Sequence, residues 1–152
     1  MKLTVPGNGS LAIENLLLDL NGTLSVGGDL VEGVEDRISR LRENYTLILL
    51  SGNSRGNAED IAKGLDIQFR ETKNGSEKRD VVHSLGADTC AAIGNGLIDL
   101  EFIESAHLGI VTMQGEGAHT KTLLAADIVV PSINDALDLF IDTNRLVATL
   151  RR

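Results

Sequence analysis

Short apolar runs alternate with stretches of helical periodicity along nearly the whole chain, and this alternation restricts the fold more than any other feature. The runs Leu16-Leu17-Leu18, Tyr45 to Leu50, Ile67 to Phe69, Thr89 to Ile93, Leu108 to Val111 and Asp127 to Val130 are short enough for strands. Where they are continuous rather than alternating, both faces of the strand are expected to be buried. Between the first two, Val31, Val34, Ile38 and Leu41 recur at three- and four-residue spacing, which puts them on one helical face. Further helices are predicted over residues 57–64, 77–85, 98–106, 118–125 and 134–150, with Gly64 and Gly86 as stops. Ahead of these units, Leu3-Thr4-Val5 and Leu11-Ala12-Ile13 flank a Pro-Gly-Asn-Gly-Ser turn and read as a small hairpin running on toward Leu16. Strands and helices in this order form an α/β fold: a mainly parallel sheet covered on both faces.

The chain of 152 residues fits one domain, 1–152, with no linker or repeat to divide it. Acidic residues number 22 against 14 Lys and Arg, for a formal charge of -8, and the basic residues form no patch. Nucleic acid and anionic membrane surfaces are therefore not expected partners. Cys90 is the sole cysteine and sits in the apolar string Thr89 to Ile93, so it reads as a core thiol, neither a disulfide half nor part of a cysteine metal site. Neither a signal-peptide core nor a run long enough for a bilayer is present, which predicts a cytoplasmic protein.

Chemistry concentrates at the ends of the predicted strands, where open α/β sheets bind ligands. Asp19 closes the run Leu16-Leu17-Leu18 and begins the string Asp19-Leu20-Asn21-Gly22-Thr23-Leu24. Ser51-Gly52-Asn53 closes the next strand, Lys78 lies near the start of a helix, and Gly94-Asn95-Gly96-Leu97-Ile98-Asp99 follows the strand ending at Ile93. In this order the set resembles the motifs of the haloacid dehalogenase (HAD)-like hydrolases, and in particular the soluble P-type-ATPase-like phosphatases. The resemblance covers essentially everything after the hairpin. It implies a three-layer Rossmann-like HAD core, Asp19 as a nucleophile that is phosphorylated, Ser51 and Gly52 binding the phosphoryl group, and Lys78 neutralising its oxygens. It further implies Mg2+ held by Asp19, Asn21, Asn95 and Asp99, and a carboxylate at Asp19 kept ionised by the metal and Lys78. Phosphoryl transfer spreads charge over three oxygens, so cationic and hydrogen-bonding groups are what such a site needs.

Two residues depart from the family pattern. Asn21 stands where the phosphatases mostly carry an aspartate that protonates the leaving group and then activates water, and Asn95 stands where a metal-ligating aspartate is common. An amide performs no proton transfer, so turnover is expected to be slow and biased toward good leaving groups. The alternative is a protein that binds a phosphorylated ligand or protein partner without turning it over. Residues 20–50 and 52–77 are each consumed by a helix and its connections, leaving no room for a cap domain. The substrate is expected to be a phosphorylated small molecule or macromolecule.

Gly52-Asn53-Ser54-Arg55-Gly56 also matches the Gly-x-Ser-x-Gly elbow, with Asp99 and His119 following in triad order, although that reading leaves the Asp19 string unexplained. Gly94-x-Gly96 begins like a dinucleotide fingerprint, but Asp99 occupies the third glycine position. Leu137, Phe140, Ile141 and Leu150 give the last helix an apolar face that serves either the core or a homo-oligomer contact.

Overall fold

The computed structural model describes all 152 residues. In chain order the elements are β1 (Lys2–Val5), β2 (Gly9–Ala12), β3 (Asn15–Asp19), β4 (Ser25–Val26), β5 (Asp29–Leu30), α1 (Val34–Leu41), β6 (Thr46–Ser51), α2 (Ala58–Leu65) and β7 (Gln68–Glu71). They continue with α3 (Gly75–Leu85), β8 (Cys90–Gly94), α4 (Leu100–Ser105), β9 (Leu108–Thr112), α5 (Thr120–Ala125), β10 (Ile128–Val130), α6 (Ile133–Ile141) and α7 (Asn144–Leu150).

Six strands form one parallel sheet in the order β10-β9-β8-β3-β6-β7. β3 lies between β8 and β6, with Leu18 opposite Ile93 and Leu49. Its side chains divide by the two-residue period of a strand. Leu16 and Leu18 join Val34, Ile38, Ala62 and Leu137 in the core beneath α1, α2 and α6, whereas Leu17 joins Val82, Phe102 and Ile103 beneath α3 and α4. Fully burying each such side chain contributes about 1.5–3 kcal/mol before entropy is counted. This two-sided burial explains why the run is apolar at every position. Cys90 is buried and free, and burial raises its thiol pKa.

The predicted parallel α/β sheet and the N-terminal hairpin β1-β2 are both present. The hairpin does not run into β3: Ile13 and Glu14 separate them, and Glu14 bonds instead to Thr89 and Thr46 on the two neighbouring segments. Three further details differ. The last predicted helix is two, α6 and α7, because Asp142 leaves helical geometry and its carboxylate accepts from the Asn144 N–H. Asp, Thr and Asn favour such local bonds over helix continuation. Its apolar face is core, with Leu137 and Phe140 buried and Ile141 and Leu150 packed on the same cluster. The helix predicted from 98 begins as a tight 3-10 turn, Leu97–Asp99. A second small hairpin, β4-β5, follows the Asp19 loop; its turn residues Gly27 and Gly28 both have positive φ, as a two-residue primed turn demands. That Gly-Gly pair was the available signal. No helix is long and apolar enough to cross a membrane.

Candidate active site

The parallel strands deliver their last residues to one edge of the sheet. Asp19 ends β3 and Ser51 ends β6, while Asn95 directly follows β8. These three line a crevice of about 410 Å³ together with Asn21, Gly52, Ser54, Lys73, Lys78, Gly96, Ile98 and Asp99. All seven sequence-predicted site residues thus meet in one place. A larger open depression around Arg42, Tyr45 and Asp66 lies at the opposite ends of the strands and contains none of them.

Lys78 is the hub. It lies in the first turns of α3, whose N-cap Asn74 accepts from the Glu77 N–H, and it is 1% exposed. Its Nζ donates to Asp19 Oδ1 and Asp99 Oδ1, each at 2.7 Å, and stands 5.3 Å from the centroid of the Phe102 ring. Burial pulls the ammonium down, but Asp19 and Asp99 together outweigh it and hold Lys78 above its usual pKa. Removing the lysine would leave two buried carboxylates uncompensated, a defect of about 3–5 kcal/mol.

Asp99 is fully engaged. Its Oδ2 accepts the backbone N–H groups of Asn95 (2.9 Å) and Gly96 (3.0 Å), which draws the post-β8 loop into its tight turn. This needs Gly94, because a Cβ there would lie 2.6 Å from the Asp99 carboxyl carbon. The Thr23 hydroxyl is 3.1 Å from both Asp19 Oδ2 and Asn95 Oδ1, and Asn95 Nδ2 donates to Gly117 O, which turns the amide oxygen toward Thr23. Ser51 Oγ accepts from the Asn53 N–H, and its own proton is free to point into the crevice. Asn53 in turn caps the start of α2 through Ala58 N.

Two carboxylates share one ammonium, so the ionised cluster carries a net charge of -1. Burial first, then the neighbouring Asp99, pushes the Asp19 acid up to about 7 against the pull of Lys78. Lys78 alone therefore does not secure the ionised carboxylate that the sequence led one to expect, because Asp99 takes half of its charge. The oxygen donors suit a hard divalent ion, and Asn21 Oδ1 is buried without a hydrogen-bond partner beside them.

Thr23, Ser54 and Lys73 belong to the site without having been assigned roles from sequence. Thr23 follows Asp19 by four residues, the one clue to its contact. Lys73 lines the crevice and forms no salt bridge. The serine elbow gains no support: Ser54 and Asp99 share a crevice that no histidine lines, and His119 instead caps α5 through Lys121 N.

No protein-family model matches the chain. An uncharacterised protein of Methanocaldococcus jannaschii is 55% identical over 60 residues, covering 40% of this chain and 64% of that protein. A soluble P-type ATPase-like phosphatase of the same organism is 26% identical over 140 residues, 88% of this chain and 51% of the relative. The matched region thus spans less than two thirds of either relative's length. Among solved structures, the 3-deoxy-D-manno-octulosonate 8-phosphate phosphatase of Moraxella catarrhalis, in complex with magnesium ion, phosphate ion and KDO, is similar with a TM-score of 0.71. It is 19% identical and the likeness covers 91% of this chain and 94% of that one, a similarity of fold.

Proposed function

We propose that this chain, which belongs to the HAD-like superfamily, is a magnesium-dependent phosphatase-like hydrolase of phosphate esters or acyl phosphates, working through an aspartyl-phosphate at Asp19. The observation that carries the reading is the Asp19 carboxylate at the sheet's C-terminal edge, bound to buried Lys78 in a crevice that Asn21, whose amide oxygen is buried and unpartnered, also lines. The net charge of the Asp19, Asp99 and Lys78 cluster would repel a phosphate dianion, which supports a divalent ion as part of the working site.

Asp19, the backbone carbonyl of Asn21 and Asn95 would hold the ion, with Asp99 adding its charge from behind because both its oxygens are engaged. When bound, Mg2+ supplies positive charge to the phosphoryl oxygens and keeps Asp19 ionised. An Asp19 oxygen attacks phosphorus as the bond to the leaving oxygen breaks. Lys78 and the Ser51 hydroxyl, with the N–H groups near Gly52, stabilise the charge on the transferring group. The leaving oxygen takes its proton from solvent, since Asn21 has none to give. Water then attacks phosphorus, releasing inorganic phosphate and restoring Asp19. Missing acid-base help costs about 10²- to 10⁴-fold in such steps, so acyl and aryl phosphates are favoured.

The two asparagines favour one second reading: a domain that binds a phosphorylated small molecule or macromolecule without turning it over. Incubation with acetyl phosphate and Mg2+, an acid quench and peptide mass spectrometry separate the two. The enzyme reading expects an acid-stable, hydroxylamine-labile phosphoryl group on the Asp19 peptide. Its absence, with beryllofluoride also failing to bind, would leave only the binding reading.

A further inference from the structure

Gln114, two residues past the end of β9 and half-buried, uses its amide at both ends. Its Nε2 donates to the carbonyl oxygens of Gly22 (3.2 Å) and Thr23 (2.8 Å), and its Oε1 accepts from the N–H of Ile133 (2.9 Å), the first residue of α6. The orientation is dictated by its partners, because two carbonyls require the NH2 group and an N–H requires the oxygen. One side chain thus ties the loop after β9 and the start of α6 to the loop that follows Asp19.

That loop satisfies its N–H groups internally: Gly22 N bonds Ser25 O, and Thr23 N and Ser25 N both bond Leu20 O. These bonds set the turn but leave the outward carbonyls of Gly22 and Thr23 to Gln114. Those carbonyls belong to the peptide planes on either side of the Thr23 Cα. Their orientation decides where the Thr23 hydroxyl meets Asp19 Oδ2 and Asn95 Oδ1.

We infer that Gln114 is a positioning residue for the reaction: by gripping the two peptide planes around Thr23 it holds the Thr23 hydroxyl on Asp19 and Asn95, and so keeps the Asp19 carboxylate in the geometry that phosphoryl transfer requires. The inference rests on Asp19 being the nucleophile. Misplacing a reacting group by about 1 Å costs on the order of 10²-fold, so a clamp of this kind acts on rate more than on binding.

The test compares wild type with Gln114→Ala and Gln114→Glu, at temperatures where circular dichroism shows all three folded. Steady-state hydrolysis of para-nitrophenyl phosphate should show kcat reduced by about ten- to hundred-fold with KM changed by less than about three-fold, and a raised magnesium concentration for half-activation. Gln114→Glu should be the worse of the two, since it keeps the size but sets a carboxylate against two carbonyl oxygens; a residue that only fills space would give the opposite order. Amide hydrogen exchange supplies a readout independent of turnover. Protection at Gly22, Thr23 and Ser25 should fall about ten-fold or more in the variants, since both bonds from Nε2 to the loop are lost, while Leu17 in β3 is unchanged. Unaltered kcat, or unaltered exchange in this loop, would overturn the inference. Should the wild type itself show no turnover, the phosphatase reading fails, and the exchange comparison still decides whether Gln114 holds the loop.

Discussion

Asp19 is held at a cost to the fold that a divalent ion would relieve. Its acid is pushed from 3.8 up to about 7 by burial and by Asp99, so between those values the folded protein keeps a proton that the unfolded chain releases. Stability from this group is therefore fully present below pH 3.8 and is lost as pH rises through about 7. Asp19→Asn removes the charge and leaves Lys78 and Asp99 as a neutral pair. In the absence of divalent ions its Tm should exceed that of the wild type above pH 7, with the gap closing toward pH 3.8. Each kcal/mol corresponds to about 2–4 °C in a chain of this size. Added Mg2+ should then raise the wild-type Tm and leave that of the variant unchanged; thermal melts across pH with and without the ion check both. A variant less stable than wild type throughout would mean that Asp19 is a net stabiliser through Lys78. The strand-end places of Asp19, Ser51 and Asn95 were legible because each closes or closely follows an apolar run, whereas Lys78 follows none and was singled out by the resemblance alone. The sharing of Lys78 was not legible, because Asp19 and Asp99 are eighty positions apart in sequence and only the parallel pairing of β3 with β8 brings their segments together.

At the scale of elements, the sheet was readable from continuous apolar runs, and the two helix boundaries that differed from expectation were settled by local polar bonds. Asp142 ends α6 by bonding to Asn144, and Asp99 winds Leu97–Asp99 into a 3-10 turn through Asn95 and Gly96. Neither shows in hydrophobic periodicity, since each depends on a short side chain winning over the regular backbone pattern. The close approach of β8 to this turn yields a sharp expectation. Gly94→Ala puts a methyl group 2.6 Å from the Asp99 carboxyl carbon and 2.7 Å from its Oδ2. The carboxylate must swing off the Asn95 and Gly96 N–H groups, and overpacking of this kind costs about 1–3 kcal/mol. Urea denaturation should show that loss, together with phosphatase activity well below wild type. An unchanged midpoint would mean that the turn gives way freely and that Asp99 is not held as described.

Across the whole molecule, β3 at the middle of the sheet carries Asp19 to an edge where loops from both halves of the chain converge. Between β3 and α1 the only structure is the short hairpin β4-β5, whose Gly27 N–H bonds to Glu116 in the loop after β9. An acidic chain whose crevice floor carries two carboxylates on one ammonium, with Lys73 at its rim, is arranged to draw a phosphorylated group inward only when the Asp19 and Asp99 charges are offset. The most direct measurement is magnesium-dependent phosphate release from para-nitrophenyl phosphate and acetyl phosphate by the wild type, Asp19→Asn and Asn21→Asp. Aspartyl-phosphate catalysis limited by the missing acid requires activity that Asp19→Asn abolishes and Asn21→Asp raises, by as much as about 10²-fold or more with the poorer leaving group. Phosphate release by neither the wild type nor Asn21→Asp, with Mg2+ present, would contradict it.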